Sequence, residues 1–97
     1  MEIDKVIHEP ARLKIMMILS GAEKVDFNFL MTTLNLTRGN LSRHVEKLEA
    51  AEYVNIEKNF KGKVPNTSYQ ITKQGTEALA QYWEHIDTVR RIGQPPE

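Results

Sequence analysis

Between Thr37 and Lys47 the chain collects side chains that make directional hydrogen bonds: Thr37, Arg38, Asn40, Ser42, Arg43, His44 and Lys47, with no acid between Asp26 and Glu46. An arginine fork matches the O6 and N7 edge of guanine, and an asparagine amide matches adenine. Hydroxyls, imidazole and ammonium groups reach bases or phosphates singly. A second cationic stretch, Lys58 to Lys73, holds four lysines and again no acid, with Lys61 and Lys63 flanking a glycine. The whole chain is neutral, 13 Lys plus Arg against 13 Asp plus Glu. That balance argues against coating nucleic acid by bulk charge and leaves any such binding to local patches. A basic polar helix face is also what a plain solvated surface looks like, and these residues alone leave both readings open.

Other chemistries find less support. Cysteine is absent, so disulfides, thiolate zinc sites and cysteine nucleophiles are excluded. His8, His44 and His85 include no pair four apart on a helix face. Glu84, His85 and Asp87 would need a second chain to complete a metal site and read as a solvated helix end, so no metal or cofactor is expected. Ser42 and His44, two apart on a helix, point about 160° from each other, which forbids a nucleophile and base pair within one chain. With no glycine-rich phosphate cradle either, an enzyme is not expected. Tyr82 beside Trp83 could line a small-molecule pocket, but aromatics at helical spacing read first as core or interface, and an effector stays unknown. The N-terminus carries Glu2, Asp4 and Lys5 where a signal peptide needs an apolar run. No uncharged stretch approaches the roughly 18 residues of a membrane span, so a cytoplasmic location is expected.

These groups need elements to hold them. A chain of 97 residues supports one core, expected here as a single domain over 1–92 with a frayed tail at 93–97. A first helix opens at Pro10 and ends at Ser20-Gly21, preceded by Ile3, Val6 and Ile7 at helical spacing. Asp26 caps a second helix with Phe27, Leu30, Met31 and Leu34 as its stripe. Asn35 ends it in a left-handed conformation, and Thr37 caps a third helix over Arg38 to about Ala51. Leu41, Val45 and Leu48 face inward there, which turns Gly39, Asn40, Arg43, Glu46 and Lys47 outward. Two strands follow around Val54–Phe60 and Thr67–Ile71. Their connection, Lys61 to Asn66, reads as too long for a tight two-residue turn and gives the hairpin an exposed basic tip. Thr72 caps a last helix with Leu79, Tyr82, Trp83, Ile86 and Val89 as its stripe. Reaching Arg91, it is on the order of 30 Å long, as long as the domain is wide, so its far end must pack on another chain or fray. The fold class is therefore mainly α with a small β-hairpin (α+β).

Leu36-Thr37-Arg38-Gly39-Asn40-Leu41-Ser42-Arg43-His44-Val45-Glu46-Lys47-Leu48, continuing to Val54, resembles the recognition-helix segment of winged helix-turn-helix regulators of the ArsR and MarR type. Lys61 to Gly75 is similar to the wing and final-helix entry of a compact subgroup, and Ile7 to Ile15 to its first helix, so the likeness covers about residues 6–90. The resemblance implies a winged helix-turn-helix with a C-terminal dimerisation helix and a transcriptional regulator, most often a repressor. It implies a homodimer on an operator-like duplex. Carried over by position, Thr37, Arg38, Asn40, Ser42, Arg43 and His44 take the base- and phosphate-contacting places, and Lys61 and Lys63 those of the wing. Lys47 joins them from the outward face of the helix. Glu52 departs from the pattern where a helix-ending glycine is usual, and Lys63 where arginine is common.

Double-stranded DNA and a second copy of the chain are thus the expected partners, with no membrane. The expected target is a pseudo-palindrome whose half-sites lie about 34 Å apart. The dimer would be built from Ile3, Val6, Ile7, Leu79, Tyr82, Trp83, Ile86 and Val89. The competing reading, a winged-helix protein-interaction module that reads no DNA sequence, would favour an apolar outward face, which Gly39, Asn40, Arg43 and Lys47 do not supply.

Overall fold

The computed structural model describes residues 2–94. Its elements run α1 (Pro10–Ser20), β1 (Val25–Asp26), α2 (Phe27–Leu34), α3 (Arg38–Ala50), β2 (Val54–Lys61), β3 (Val64–Ile71) and α4 (Lys73–Ile92). Each helix start has its chemical cause. Glu9 Oε1 accepts from the Ala11 N–H at 2.5 Å ahead of Pro10, and Asp26 Oδ1 accepts from Phe29 at 2.7 Å. Thr37 Oγ1 accepts from Asn40 at 3.1 Å, and Thr72 Oγ1 from Gly75 at 2.9 Å. These bonds satisfy backbone donors that a helix start otherwise leaves open.

The α2–α3 connection is set by Asn35, left-handed at φ 53°. The Leu36 N–H reaches back to the Met31 carbonyl at 3.1 Å and that of Asn35 to Thr32 at 3.3 Å. This paired closure stops α2 within one residue and lets Thr37 begin α3 at a new angle. Glu52 closes α3 in the same way at φ 65°, with Tyr53 bonded to Leu48 at 2.9 Å and Glu52 to Glu49 at 2.8 Å. A glutamate therefore stands in a conformation that favours glycine.

The sheet has three strands in the order β1-β3-β2, both pairings antiparallel. The third strand is an addition to the two expected: β1 is only Val25 and Asp26, too short to show any alternation. The hairpin also differs from expectation. Lys61 pairs with Val64, which leaves Gly62 and Lys63 as a two-residue turn, and Gly62 at φ 64° supplies the positive first position that such a turn requires. The strands run to the tip because Pro65 does not interrupt them. Its partner is Phe60, one step inside the closing pair, so the missing N–H falls on the side of β3 away from β2.

Ile15, Met16 and Leu19 of α1, Leu30 of α2 and Leu41, Val45 and Leu48 of α3 meet Val54, Tyr69, Leu79 and Tyr82 in the core. Gly75 at the start of α4 lies against the Tyr53 carbonyl so closely that a Cβ would collide with that oxygen and sit 3.0 Å from Ile71 Cγ1. The absence of a side chain thus sets the distance between α4 and the hairpin.

Three residues expected at a dimer seam, Ile7, Leu79 and Tyr82, are instead buried in the chain's own core. Ile3, Val6 and Ile86 pack partly against it, while Trp83 and Val89 are 42% and 49% exposed. The reason is geometric: the first turns of α4 lie on the body and the later turns run past it. The radius of gyration is 15.4 Å, with extents of 62 × 26 × 21 Å, against about 12.5 Å for a compact chain of this length. The segment before α1 forms a single turn in which Asp4 Oδ1 accepts from Val6 at 2.9 Å and Ile7 at 3.1 Å. Of the tail expected to fray, Gly93 and Gln94 continue the hydrogen bonding of α4 to Val89 and Arg91 at 3.1 and 3.2 Å, and Pro95, Pro96 and Glu97 lie outside the described residues. Among the described residues no helix is long and apolar enough to cross a membrane.

Candidate nucleic-acid interface

With Leu41, Val45 and Leu48 buried, α3 leaves Arg38, Gly39, Arg43, Glu46 and Lys47 exposed and Asn40 half-buried. Asn40 and Arg43, one turn apart, are joined: Arg43 Nη2 donates to Asn40 Oδ1. The two side chains most suited to reading purines therefore hold each other on the outer face while both remain within reach of solvent. Thr37 uses its oxygen as acceptor in the cap. Arg38 lies with its guanidinium carbon 5.2 Å from the centre of the Phe27 ring, a stacking that holds the arginine over the start of α2. A Cβ on Gly39 would meet nothing within 4 Å, so the intramolecular packing does not require a glycine there.

His44 is placed differently from the expectation. About 60° from Leu41 around the helix axis, it lies at the edge of the buried arc and turns to α1. Its Nδ1 is 3.1 Å from Glu9 Oε2 and 3.2 Å from Arg12 Nη1. Burial lowers its pKa below the ordinary histidine value, the neighbouring cations Arg12, Arg43 and Lys47 act the same way, and Glu9 opposes them. Nδ1 thus lies between a carboxylate oxygen of Glu9 and a guanidinium nitrogen of Arg12. Arg12 is only 9% exposed and also donates to the Val6 carbonyl at 2.5 Å and the Lys5 carbonyl at 3.4 Å. Its role had no signal in the sequence, where it sits inside an apolar helical run. Tyr53 completes the link between this segment and the body by donating to Asp4 Oδ2, and burial together with Asp4 pushes its phenol up to about 12.

Between α3 and the hairpin lies an open cleft of about 510 Å³ bordered by Arg38, Ser42, Glu46, Lys58 and Thr67. Ser42 faces this cleft and not the outermost surface. At the far end of the hairpin Lys63 is exposed in the turn. Lys61 leans back, its Nζ 3.4 Å from Asp26 Oδ2. The Asp26 carboxyl is held below its usual range chiefly by the Phe29 N–H and then by Lys61, so part of the expected charge of the arm is neutralised at its base. Two apolar side chains near the tip, Phe60 and Val64, are 69% and 66% exposed. The alternation of the strand had grouped Phe60 with Val54 and Ile56; it shares their face but stands beyond the body. Among the described residues no three His, Asp or Glu side chains converge as metal ligands would.

A family model described as a winged helix DNA-binding domain matches residues 11–89. The chain is 40% identical over 79 residues to an uncharacterized protein of Methanocaldococcus jannaschii, covering 80% of this chain and 85% of that one. Among solved structures, a transcriptional regulator homologue from Pyrococcus horikoshii is 30% identical, with a TM-score of 0.82 over 89% of this chain and 85% of that one. A MarR-family transcriptional regulator from Silicibacter pomeroyi, 20% identical, has a TM-score of 0.66 over 95% of this chain and 62% of its own, a likeness of fold.

Proposed function

The chain belongs to the winged helix DNA-binding domain family, and from that premise we propose that it is a regulator that binds double-stranded DNA sequence-specifically, as a homodimer on a pseudo-palindromic operator, where it represses transcription. The observation that carries this reading is the outward face of α3. Asn40, Arg43 and Lys47 stand free of the core on a helix that a three-residue connection sets off from α2, and a B-DNA major groove is wide enough for one such helix. Thr37, Arg38 and Ser42 flank that face and suit phosphates or base edges near the helix start, and Lys61 and Lys63 suit the backbone beside the wing. His44 acts behind the face, through α1. The homodimer rests on α4: Ile86, at the margin of the core, and Val89, past the point where the body ends, continue the side of the helix that Gly75, Leu79 and Tyr82 bury. Trp83 stands beside them. Two copies joined there would present two α3 helices to one face of a duplex.

Selection of bound duplexes from a random pool tests the reading. A pseudo-palindrome with half-site centres about 10 base pairs apart is expected. Arg43→Ala should broaden the selected sequence at one position in each half-site. A pool that shows no enrichment over the input would overturn the proposal.

A further inference from the structure

Among the described residues Arg12 is the one charged side chain that the fold buries, and it lies within the apolar run of α1. Its Nε donates to the Val6 carbonyl at 2.5 Å and its Nη2 to the Lys5 carbonyl at 3.4 Å, while Nη1 lies 3.2 Å from His44 Nδ1. A buried guanidinium tied in this way cannot move far without leaving donors unpaired. Glu9 stands beside it. Glu9 Oε1 caps α1, but Oε2 is buried without a hydrogen bond, 3.1 Å from His44 Nδ1 and 3.6 Å from Arg12 Nη1. A buried carboxylate oxygen that lacks a donor is costly, and the ring nitrogen of His44 is the nearer of the two groups that could supply one.

One ring nitrogen cannot serve both neighbours. Without a proton, Nδ1 accepts from Arg12 and leaves Glu9 Oε2 open; with a proton, it donates to Glu9 and the imidazolium confronts Arg12 as a second cation. The open Glu9 oxygen marks the first arrangement. Burial, and then the three cations Arg12, Arg43 and Lys47 against the single carboxylate of Glu9, favour the ring without the extra proton; α2 and β2, also packed on α3, add no charged group among the described residues. Because Arg12 is tied to two carbonyls, the ring and the turn of α3 that carries it must yield when the proton binds. That turn starts at Asn40 and includes its hydrogen-bond partner Arg43. We propose that His44 is a proton-operated positioning residue: unprotonated, it locks α3 to Arg12 of α1, and protonated, it turns to Glu9 and frees the helix from the alignment at which Asn40 and Arg43 read a duplex. Discrimination between DNA sequences then weakens as pH falls, a regulation that rests on the DNA-binding reading above.

The test uses the full chain, a selected duplex and a random one, at fixed salt between about pH 7.5 and 5. Phosphates favour a protonated protein on any duplex, so the measure is the ratio of the two affinities. In the wild type that ratio should fall about tenfold, as one linked proton gives when its affinity differs tenfold between the two complexes. His44→Asn places an amide oxygen near the site of Nδ1 and takes up no proton, so its ratio should stay flat. Glu9→Gln, whose amide oxygen can still accept from Ala11, should move the fall to lower pH, because the carboxylate that attracts the proton is gone. If melting shows that asparagine disturbs the fold, His44→Gln takes its place. Nitrogen NMR of the wild-type imidazole should show Nδ1 bare at the upper pH and protonated across the window in which the ratio falls. A proton on Nδ1 already at the upper pH overturns the inference. So does a wild-type ratio that stays constant, or one that falls equally in the His44 variants, and either leaves the DNA reading standing. No discrimination between the duplexes at any pH overturns the DNA reading itself.

Discussion

His44 Nδ1 and Glu9 Oε2 lie 3.1 Å apart, and through this contact α3 is joined to the residue that caps α1. Glu9 uses one carboxylate oxygen for the cap and turns the other to the imidazole. Arg12 sits beside both, 3.6 Å from Glu9 and 3.2 Å from His44. The orientation of α3 is therefore coupled to the N-terminal segment whose carbonyls Arg12 also holds.

A pH dependence of stability follows. The folded pKa of His44 is lowered, mainly by burial, so the unfolded chain takes up its proton first as pH falls. Its contribution is fully present above the unfolded value of about 6.5 and is lost as pH drops through that value toward the lower folded one. Chemical denaturation between pH 7.5 and 5.5, roughly the window in which histidine titrates, should show wild-type stability falling faster than that of His44→Gln. Parallel profiles for the two proteins would show that the ring titrates as freely as in the unfolded chain.

Gly75 and Gly39 should respond oppositely to alanine. At Gly75 the new methyl would run into the Tyr53 carbonyl and Ile71, and backbone cannot yield as a flexible side chain does. The expected loss is about 1–3 kcal/mol, a fall in Tm on the order of 10 °C. At Gly39 there is open space, and alanine should stabilise α3 by about 0.5–1 kcal/mol. If α3 lies against a duplex, the same Gly39→Ala variant should bind DNA more weakly despite its higher Tm, which thermal melting and equilibrium titration together would show.

Glu52→Gly should stabilise the protein by about 0.5–1 kcal/mol, because the positive φ of 65° is costly for a residue with a Cβ and nearly free for glycine. The Thr72 hydroxyl bond to the Glu52 carbonyl, at 2.7 Å, involves only backbone of residue 52 and should persist. Urea midpoints at constant slope would measure the gain.

Replacing Val89 by Asp should break self-association and leave the monomer folded, since that side chain is half-exposed beyond the residues of α4 that pack on the core. Sedimentation should show the dimer dissociation constant rising at least about tenfold, with helical content unchanged. Leu79→Asp, in contrast, should unfold the chain, because that side chain is buried within it.

The four helices and three of their N-caps were legible because each rests on a local signal: Pro10 at a first turn, Asp26, Thr37 and Thr72 as acceptors, Asn35 as a left-handed stop; the Glu9 cap of α1 was not read. The outward face of α3 followed from the same periodicity, since three buried residues on a helix define where all the others point. What sequence reading misplaced is what depends on contacts distant in the chain. The two-residue turn was hidden because Lys61 to Asn66 has turn-forming composition, while register is decided by cross-strand pairing out to Lys61–Val64. His44, on the flank of the outward face, was given a DNA-contacting place because its chemistry suits one. Its angle at the border of the buried arc allowed either direction, and only the approach of α1, with Glu9 and Arg12, decided it. Tyr82 and Val89 stand on one amphipathic stripe. Periodicity gives the side of a helix that is apolar but not how far along it the body extends, so only the tertiary structure separates the buried Tyr82 from the half-exposed Val89.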